Sequence, residues 1–256
     1  MKEFFGFGGY TRPVEGYFSI QHILFVTFLM IVMVALAVIL GRANRNKEDR
    51  QKNKVLIVSA LAIDGFELFK IVLLCIRSCD PLDWIYSLPL FLCSIQLITI
   101  PLAAFGKGRI KEAALDFVLI FGILGAVLGT YLAGNNYSSY PVLSFDNVVS
   151  GITHSISGFS SLYIGFSGMI SMKKKNIPIT LGILTSFCIA AYIVNVLIDY
   201  NYMFLMAGDG TPYDIIYNAV GGNPVAYPII VALLFYVYII AFYAVTFFIR
   251  KRTDKN

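Results

Sequence analysis

Few side chains in this sequence are capable of covalent chemistry, and those few lie inside apolar runs. Cys93 follows Leu88-Pro89-Leu90-Phe91-Leu92, and His154 follows Gly151-Ile152-Thr153. A thiol of ordinary pKa is only slightly ionised at neutral pH, so a nucleophilic cysteine needs a base beside it. An imidazole is such a base, and it needs a partner to orient it, for which Glu67 and Asn195 are candidates. A thiol, an imidazole and an orienting group make a nucleophilic site. Gln96, Ser94 and His22 are the donors available for the oxyanion that such chemistry generates.

Other chemistries lack their residues. Gly165-Phe166-Ser167-Gly168 has the wrong spacing for a serine nucleophile elbow, and there is no phosphate-binding loop, dinucleotide fingerprint or HExxH. Of the four cysteines, Cys75 and Cys79 form a CxxxC with no histidine or further cysteine near them, which argues against zinc. No metal or cofactor is expected. A retinal-type Schiff base would want a lysine in the last apolar run, and residues 226–249 contain none.

The elements that must position these groups are membrane helices. Of 256 residues, 58% are hydrophobic and 14% charged, and the mean hydropathy is +0.75. A soluble domain carries roughly 25% charge. Seven runs are long enough to cross about 30 Å of hydrocarbon, at about 17–40, 55–76, 84–105, 113–133, 147–171, 177–200 and 226–249. The expectation is an all-α membrane protein, one seven-helix transmembrane domain over residues 1–256, because an open sheet would leave backbone groups unpaired in lipid. The first run is too long for a cleavable signal and should stay as a span.

The net charge of +5 does not point to nucleic acid, because the basic residues sit in short clusters between spans. Arg42, Arg45, Lys47, Arg50, Lys52 and Lys54 fall in the first loop, Lys107, Arg109 and Lys111 in the third, and Lys173, Lys174 and Lys175 in the fifth. Arg250, Lys251, Arg252 and Lys255 fall in the tail. Only Lys2, Arg12 and Arg77 fall on the other side, which places the N-terminus outside and the C-terminus in the cytoplasm of a cell membrane.

Several polar groups interrupt the spans. Asp64, Glu67 and Lys70 cover about a third of their helix's circumference and are expected to face the bundle, with Glu67 and Lys70 paired. Pro89 and Pro101 should break or kink the third span. Counted from the span ends, Glu67, Cys93, His154, Asn195 and His22 all fall in the outer half of the membrane, as a shared cavity open to the outer leaflet would require. Gly125 and Gly129 make a GxxxG, and Gly151 with Ser155 and Ser161 with Gly165 make small-xxx-small pairs, read first as helix packing. The long loop 201–225 either caps the cavity or tethers two spans.

These motifs together resemble the bacterial YwaF-like integral membrane proteins of the transmembrane protein 164 family. The resemblance is carried by Gln21-His22-Ile23-Leu24, by Leu88-Pro89-Leu90-Phe91-Leu92-Cys93, by His154 and by Asn201-Tyr202-Met203-Phe204-Leu205, and covers nearly the whole chain. It implies a seven-helix bundle and, from the animal branch, transfer of fatty acyl chains between phospholipids, with Cys93 the acylated nucleophile and His154 its base. The implied partners are membrane lipids, a phospholipid acyl donor and a lysophospholipid acceptor. Asn201 and Tyr202 join His22 and Gln96 as candidate substrate-binding residues. One position departs: Phe91 stands where the family pattern has a histidine, which leaves a silent site or one that relies on His22 or His154. A small-molecule transporter and a non-enzymatic scaffold or sensor are the alternatives.

Overall fold

A computed structural model describes residues 2–253; Lys255, counted above with the tail, lies outside them. Among the described residues there is no strand, and the long elements are α1 (Ile20–Asn44), α2 (Asp49–Ser78), α4 (Gly108–Tyr131), α6 (Phe145–Phe166), α7 (Ile177–Ile198) and α9 (Ala226–Thr253). Shorter helices are α3 (Gln96–Phe105), α5 (Gly134–Ser139) and α8 (Asp214–Ala219). Among the described residues, four helical stretches are long and apolar enough to cross a membrane: Ile20–Asn44, Gly108–Ser139, Lys174–Ile198 and Ala226–Arg252. Their outward faces are apolar too, as at Leu24, Phe28, Ile31, Leu197 and Val237. In water such a surface would drive association, whereas in lipid it is solvated. The protein is an all-helical membrane protein.

α2 and α6 are comparably long but more polar. α2 carries Asp64, Glu67 and Lys70, and α6 carries six serines and threonines between Ser150 and Ser161. The third apolar run departs furthest from a plain span. Its first half is a 3-10 turn over Asp83–Ser87 followed by irregular backbone, and helix begins only at Gln96. Pro89 brings no N–H and disfavours helical geometry at the residue before it, and Leu88 is accordingly extended. Pro101 sits within α3 without ending it.

α4 and α6 pack at the centre, with α1, α2 and α3 on one side and α7 and α9 on the other. Close approach is set by glycine. A Cβ on Gly122 of α4 would strike Ser157 and Ser161 of α6, and one on Gly151 of α6 would strike Leu29 of α1. Ser161 also donates across the α6–α4 contact to the Leu119 carbonyl at 2.8 Å.

One end of the bundle is basic. There Lys111 donates to Asn53, Asn53 to the Ala104 carbonyl, Arg109 to the Lys175 carbonyl, and Arg250 to the carbonyls of Ser171 and Met172. Just inside it Asp116 of α4, fully buried, accepts from the Met172 N–H at 2.6 Å, Asn176 Nδ2 at 2.9 Å and the Tyr243 hydroxyl at 2.8 Å. Three donors from a loop and from α9 thus converge on one carboxylate, joining α4, α7 and α9. Replacing Asp116 with alanine would strand the Met172 N–H, at about 1–3 kcal/mol, and would cost Asn176 and Tyr243 one bond each, leaving them Ser171 and Thr180 as partners. Thermal unfolding in detergent should show the midpoint fall by about 5 °C or more at 2–4 °C per kcal/mol; an unchanged midpoint would refute the latch.

The opposite end is closed by the N-terminal segment. Arg77 at the end of α2 grips Asp146 at the start of α6 through two bonds of 2.7 and 2.9 Å. Tyr10 donates to the same carboxylate. Burial, with Asp146 alongside, pushes the Tyr10 phenol up to about 12, so it remains a donor at physiological pH. The Phe4 carbonyl accepts from the Phe145 N–H, and Phe4, Phe5 and Phe145 stack edge to face or tilted.

Candidate functional site

The unwound stretch before α3 is held from outside. The Tyr202 hydroxyl donates to the Ile85 carbonyl at 2.5 Å and accepts from the Leu88 N–H at 3.1 Å. Tyr202 is fixed in turn by Asn195, whose Oδ1 accepts from the Tyr202 N–H at 2.6 Å and whose Nδ2 donates to its carbonyl at 3.0 Å. Asn201 ties the following turn, accepting from the Met206 N–H and donating to the Ala207 carbonyl and Asp209. Asn195, Asn201 and Tyr202 therefore form a brace. None of the three lines the cavity described below. Phe91 belongs to this brace: its ring packs against Tyr200, Tyr202 and Phe204 at 5.0–6.3 Å.

Below the brace the chain turns back into helix. The Ile95 N–H bonds the Phe91 carbonyl and the Gln96 N–H bonds the Cys93 carbonyl. Among the described residues, the N–H groups of Leu92, Cys93 and Ser94 enter no such bond. Cys93 thus sits just before the start of a half-helix, beside backbone donors that the helix does not use.

His154 comes from α6 and meets Cys93 there. The imidazole and the thiol line one small cavity, and Ser94 lines it beside them. His154 Nδ1 lies 2.8 Å from the Ser150 carbonyl. A carbonyl only accepts, so the proton resides on Nδ1 and Nε2 presents a lone pair. The imidazole is therefore oriented by a backbone carbonyl one turn earlier, and among the described residues no hydrogen bond joins it to Glu67 or Asn195.

α4 forms the floor. A Cβ on Gly129 would overlap the His154 ring at Nε2 and Cδ2, whereas one on Gly125 would stand 3.5 Å from Cys93 Cβ, an ordinary contact. The GxxxG thus does more than bring helices together: Gly129 makes the space for the imidazole.

Cys93, His154, Ser157, Glu67 and Lys70 share a cavity of about 60 Å³ walled by α2, the start of α3 and α6. At roughly 10–15 Å³ per water it holds a few waters, or the carbonyl of an ester whose chains extend elsewhere. Glu67 and Lys70 pair at 2.5 Å and are partly accessible. Asp64, expected to face the bundle with them, is instead exposed. It adjoins buried Ile63 at the edge of the polar arc and falls on the outer side of α2.

The remaining candidates lie apart from this cavity. His22 is fully buried, with Nδ1 accepting from the Phe18 N–H at 3.1 Å and Nε2 directed to the Thr130 carbonyl at 3.1 Å, and its ring lies 3.9 Å from that of Tyr137. Both nitrogens are engaged, Nε2 in joining α1 to α4 and Nδ1 in holding the turn that leads into α1. Gln96 is buried, its Oε1 accepting from Thr99 and its Nε2 without a partner. Sequence reasoning missed Ser150, Ser157 and the Arg77–Asp146 clamp. Only the spacing 150–154–157, which puts Ser150 and Ser157 within one turn of His154 along α6, could have flagged the serines.

Among the described residues no group of three or more His, Cys, Asp or Glu could hold a metal ion. Comparison with curated proteins finds no match, and neither does comparison with solved structures. The model of the TMEM164 family matches residues 17–249, which contain α1 to α8, the cavity and most of α9. The chain belongs to the TMEM164 family.

Proposed function

We propose that this protein is a membrane-embedded transacylase that moves a fatty acyl chain from a phospholipid to a lysophospholipid through a thioester on Cys93. The reading takes the bundle as seven spans, the broken third among them, with the basic end cytoplasmic and the N-terminus outside, in a cell membrane of bacterial type. That sidedness puts Cys93 toward the outer leaflet, where a lipid enters sideways between helices.

The observation that carries the reading is that Cys93 shares one small cavity with an imidazole whose Nδ1 is spent on the Ser150 carbonyl. Its Nε2 is then free to take the thiol proton as sulfur attacks the ester carbonyl. The imidazolium returns that proton to the leaving lysolipid oxygen, leaving the acyl group on sulfur. The acceptor hydroxyl gives its proton to the same nitrogen and reverses the sequence. Leu92, Cys93 and Ser94 offer N–H groups where negative charge develops. Phe91, in place of the family's histidine, falls on the brace, so its replacement leaves the cavity's own groups intact.

The test is acyl exchange in vesicles containing the purified full chain, a phospholipid with a labelled acyl chain and an unlabelled lysophospholipid. Wild type should move label to the acceptor and Cys93→Ala should not. Equal transfer by both would end the proposal.

A further inference from the structure

Among the described residues that line the cavity, one buried hydroxyl is left unbound by its own helix. Serines in membrane helices ordinarily turn back onto the carbonyl one turn earlier. In α6, Ser155 does so to Gly151 at 2.7 Å and Ser160 to Ile156 at 2.8 Å. Thr153 spends its proton on the Ser150 carbonyl at 3.0 Å. Ser157 is 97% buried, yet its Oγ has no hydrogen-bond partner. A buried hydroxyl with a carbonyl at hand and no bond to it is available to a group from outside the chain.

Its position says for what. Ser157 lines the same cavity as Cys93 and His154. It lies three residues after His154, about 4.5 Å further along the helix axis on nearly the same face. Gly122 of α4 stands directly behind it, so close that a Cβ there would meet the Ser157 carbonyl at 2.6 Å, which fixes the backbone that carries the hydroxyl.

We infer that Ser157 is a catalytic residue whose hydroxyl donates to the carbonyl oxygen of the acyl donor as that oxygen becomes negative; the inference rests on the acyl-transfer reading. In the step concerned, the S–H proton passes to His154 Nε2 and sulfur bonds to the carbonyl carbon. The π electron pair moves onto oxygen, which Ser157 Oγ–H then binds. When the pair returns, the C–O bond to the leaving lysolipid breaks, and the imidazolium proton goes to that oxygen. Ser157 keeps its proton throughout. An N–H at the start of α3 is the second donor.

Two reactions of the same sulfur separate this role from a structural one. Acylation of Cys93 by p-nitrophenyl acetate passes through an oxyanion, whereas alkylation by iodoacetamide does not. Both are followed on the intact protein in detergent, by mass spectrometry of the Cys93 fragment, with Cys75 and Cys79 as internal controls. In Ser157→Ala the acylation rate should fall about 10²–10³-fold, the usual effect of losing one oxyanion donor, while alkylation stays within about twofold. A parallel fall in both reactions, no fall in either, or a wild-type Cys93 that the ester cannot acylate would each overturn the inference. The lipid reading fails separately. If exchange between phospholipids is absent but ester acylation still depends on Ser157, the inference stands without it; if exchange proceeds equally in Ser157→Ala, the reading stands and the inference falls.

Discussion

Replacing His154 with glutamine should slow acylation of Cys93 by about 10²–10⁴-fold, the range for loss of a positioned general base, with little change in thermal stability. Glutamine keeps a side-chain amide that can still donate to the Ser150 carbonyl, now 2.8 Å from Nδ1, so the local bonding of α6 survives. What disappears is the lone pair presented to the thiol. Alkylation by iodoacetamide should then need a higher pH than in wild type, because the thiol must lose its proton to water. A glutamine variant as fast as wild type at neutral pH would remove His154 from the mechanism. One that is slow and also unfolds early would mark it as a packing residue.

The second large effect concerns residues with no side chain at all. Gly129→Ala should cut Cys93 acylation by about 100-fold, since displacing a catalytic group by about 1 Å can cost that much. The new methyl would occupy the space of His154 Nε2 and Cδ2, and the ring must leave its place beside Cys93. Gly125→Ala, one turn away in the same motif, should lie within a few-fold of wild type, because its methyl meets Cys93 Cβ at an ordinary 3.5 Å. If GxxxG served helix packing alone, the two substitutions would act alike. Acylation rates and unfolding midpoints, measured on both variants, decide between the two uses.

Much of the architecture was legible in the residues because bilayer physics is coarse. Long apolar runs had to be helices, Pro89 had to interrupt the third, and Glu67 and Lys70, three residues apart, had to pair. The site was legible only in part. Cys93 and His154 announce themselves by chemical type, but what orients His154 is a main-chain carbonyl that any residue at position 150 would offer. Asn195, Asn201 and Tyr202 looked like site residues because they are polar and form a distinctive run. Apart from the Asp209 carboxylate, their partners are backbone groups of their own turn and of the stretch 85–88, which spacing along the chain does not reveal. His22 drew notice as a membrane histidine, and it is consumed by the Phe18 N–H and the Thr130 carbonyl. Ser157 looked like the other serines of α6 until its burial without a bond, alone among the described serines of that helix, set it apart. Asp64 shows the limit of helical periodicity, since an arc of polar residues has edges and its edge residue faces out.

The most direct test is to mix the purified protein with excess phospholipid carrying an isotopically labelled acyl chain, quench in acid and map the label by fragment mass spectrometry. A hydroxylamine-labile acyl group on Cys93, absent from His154→Gln at short times, is the expected result. Label that never reaches Cys93, or that reaches exposed Cys79 equally fast, would contradict the account.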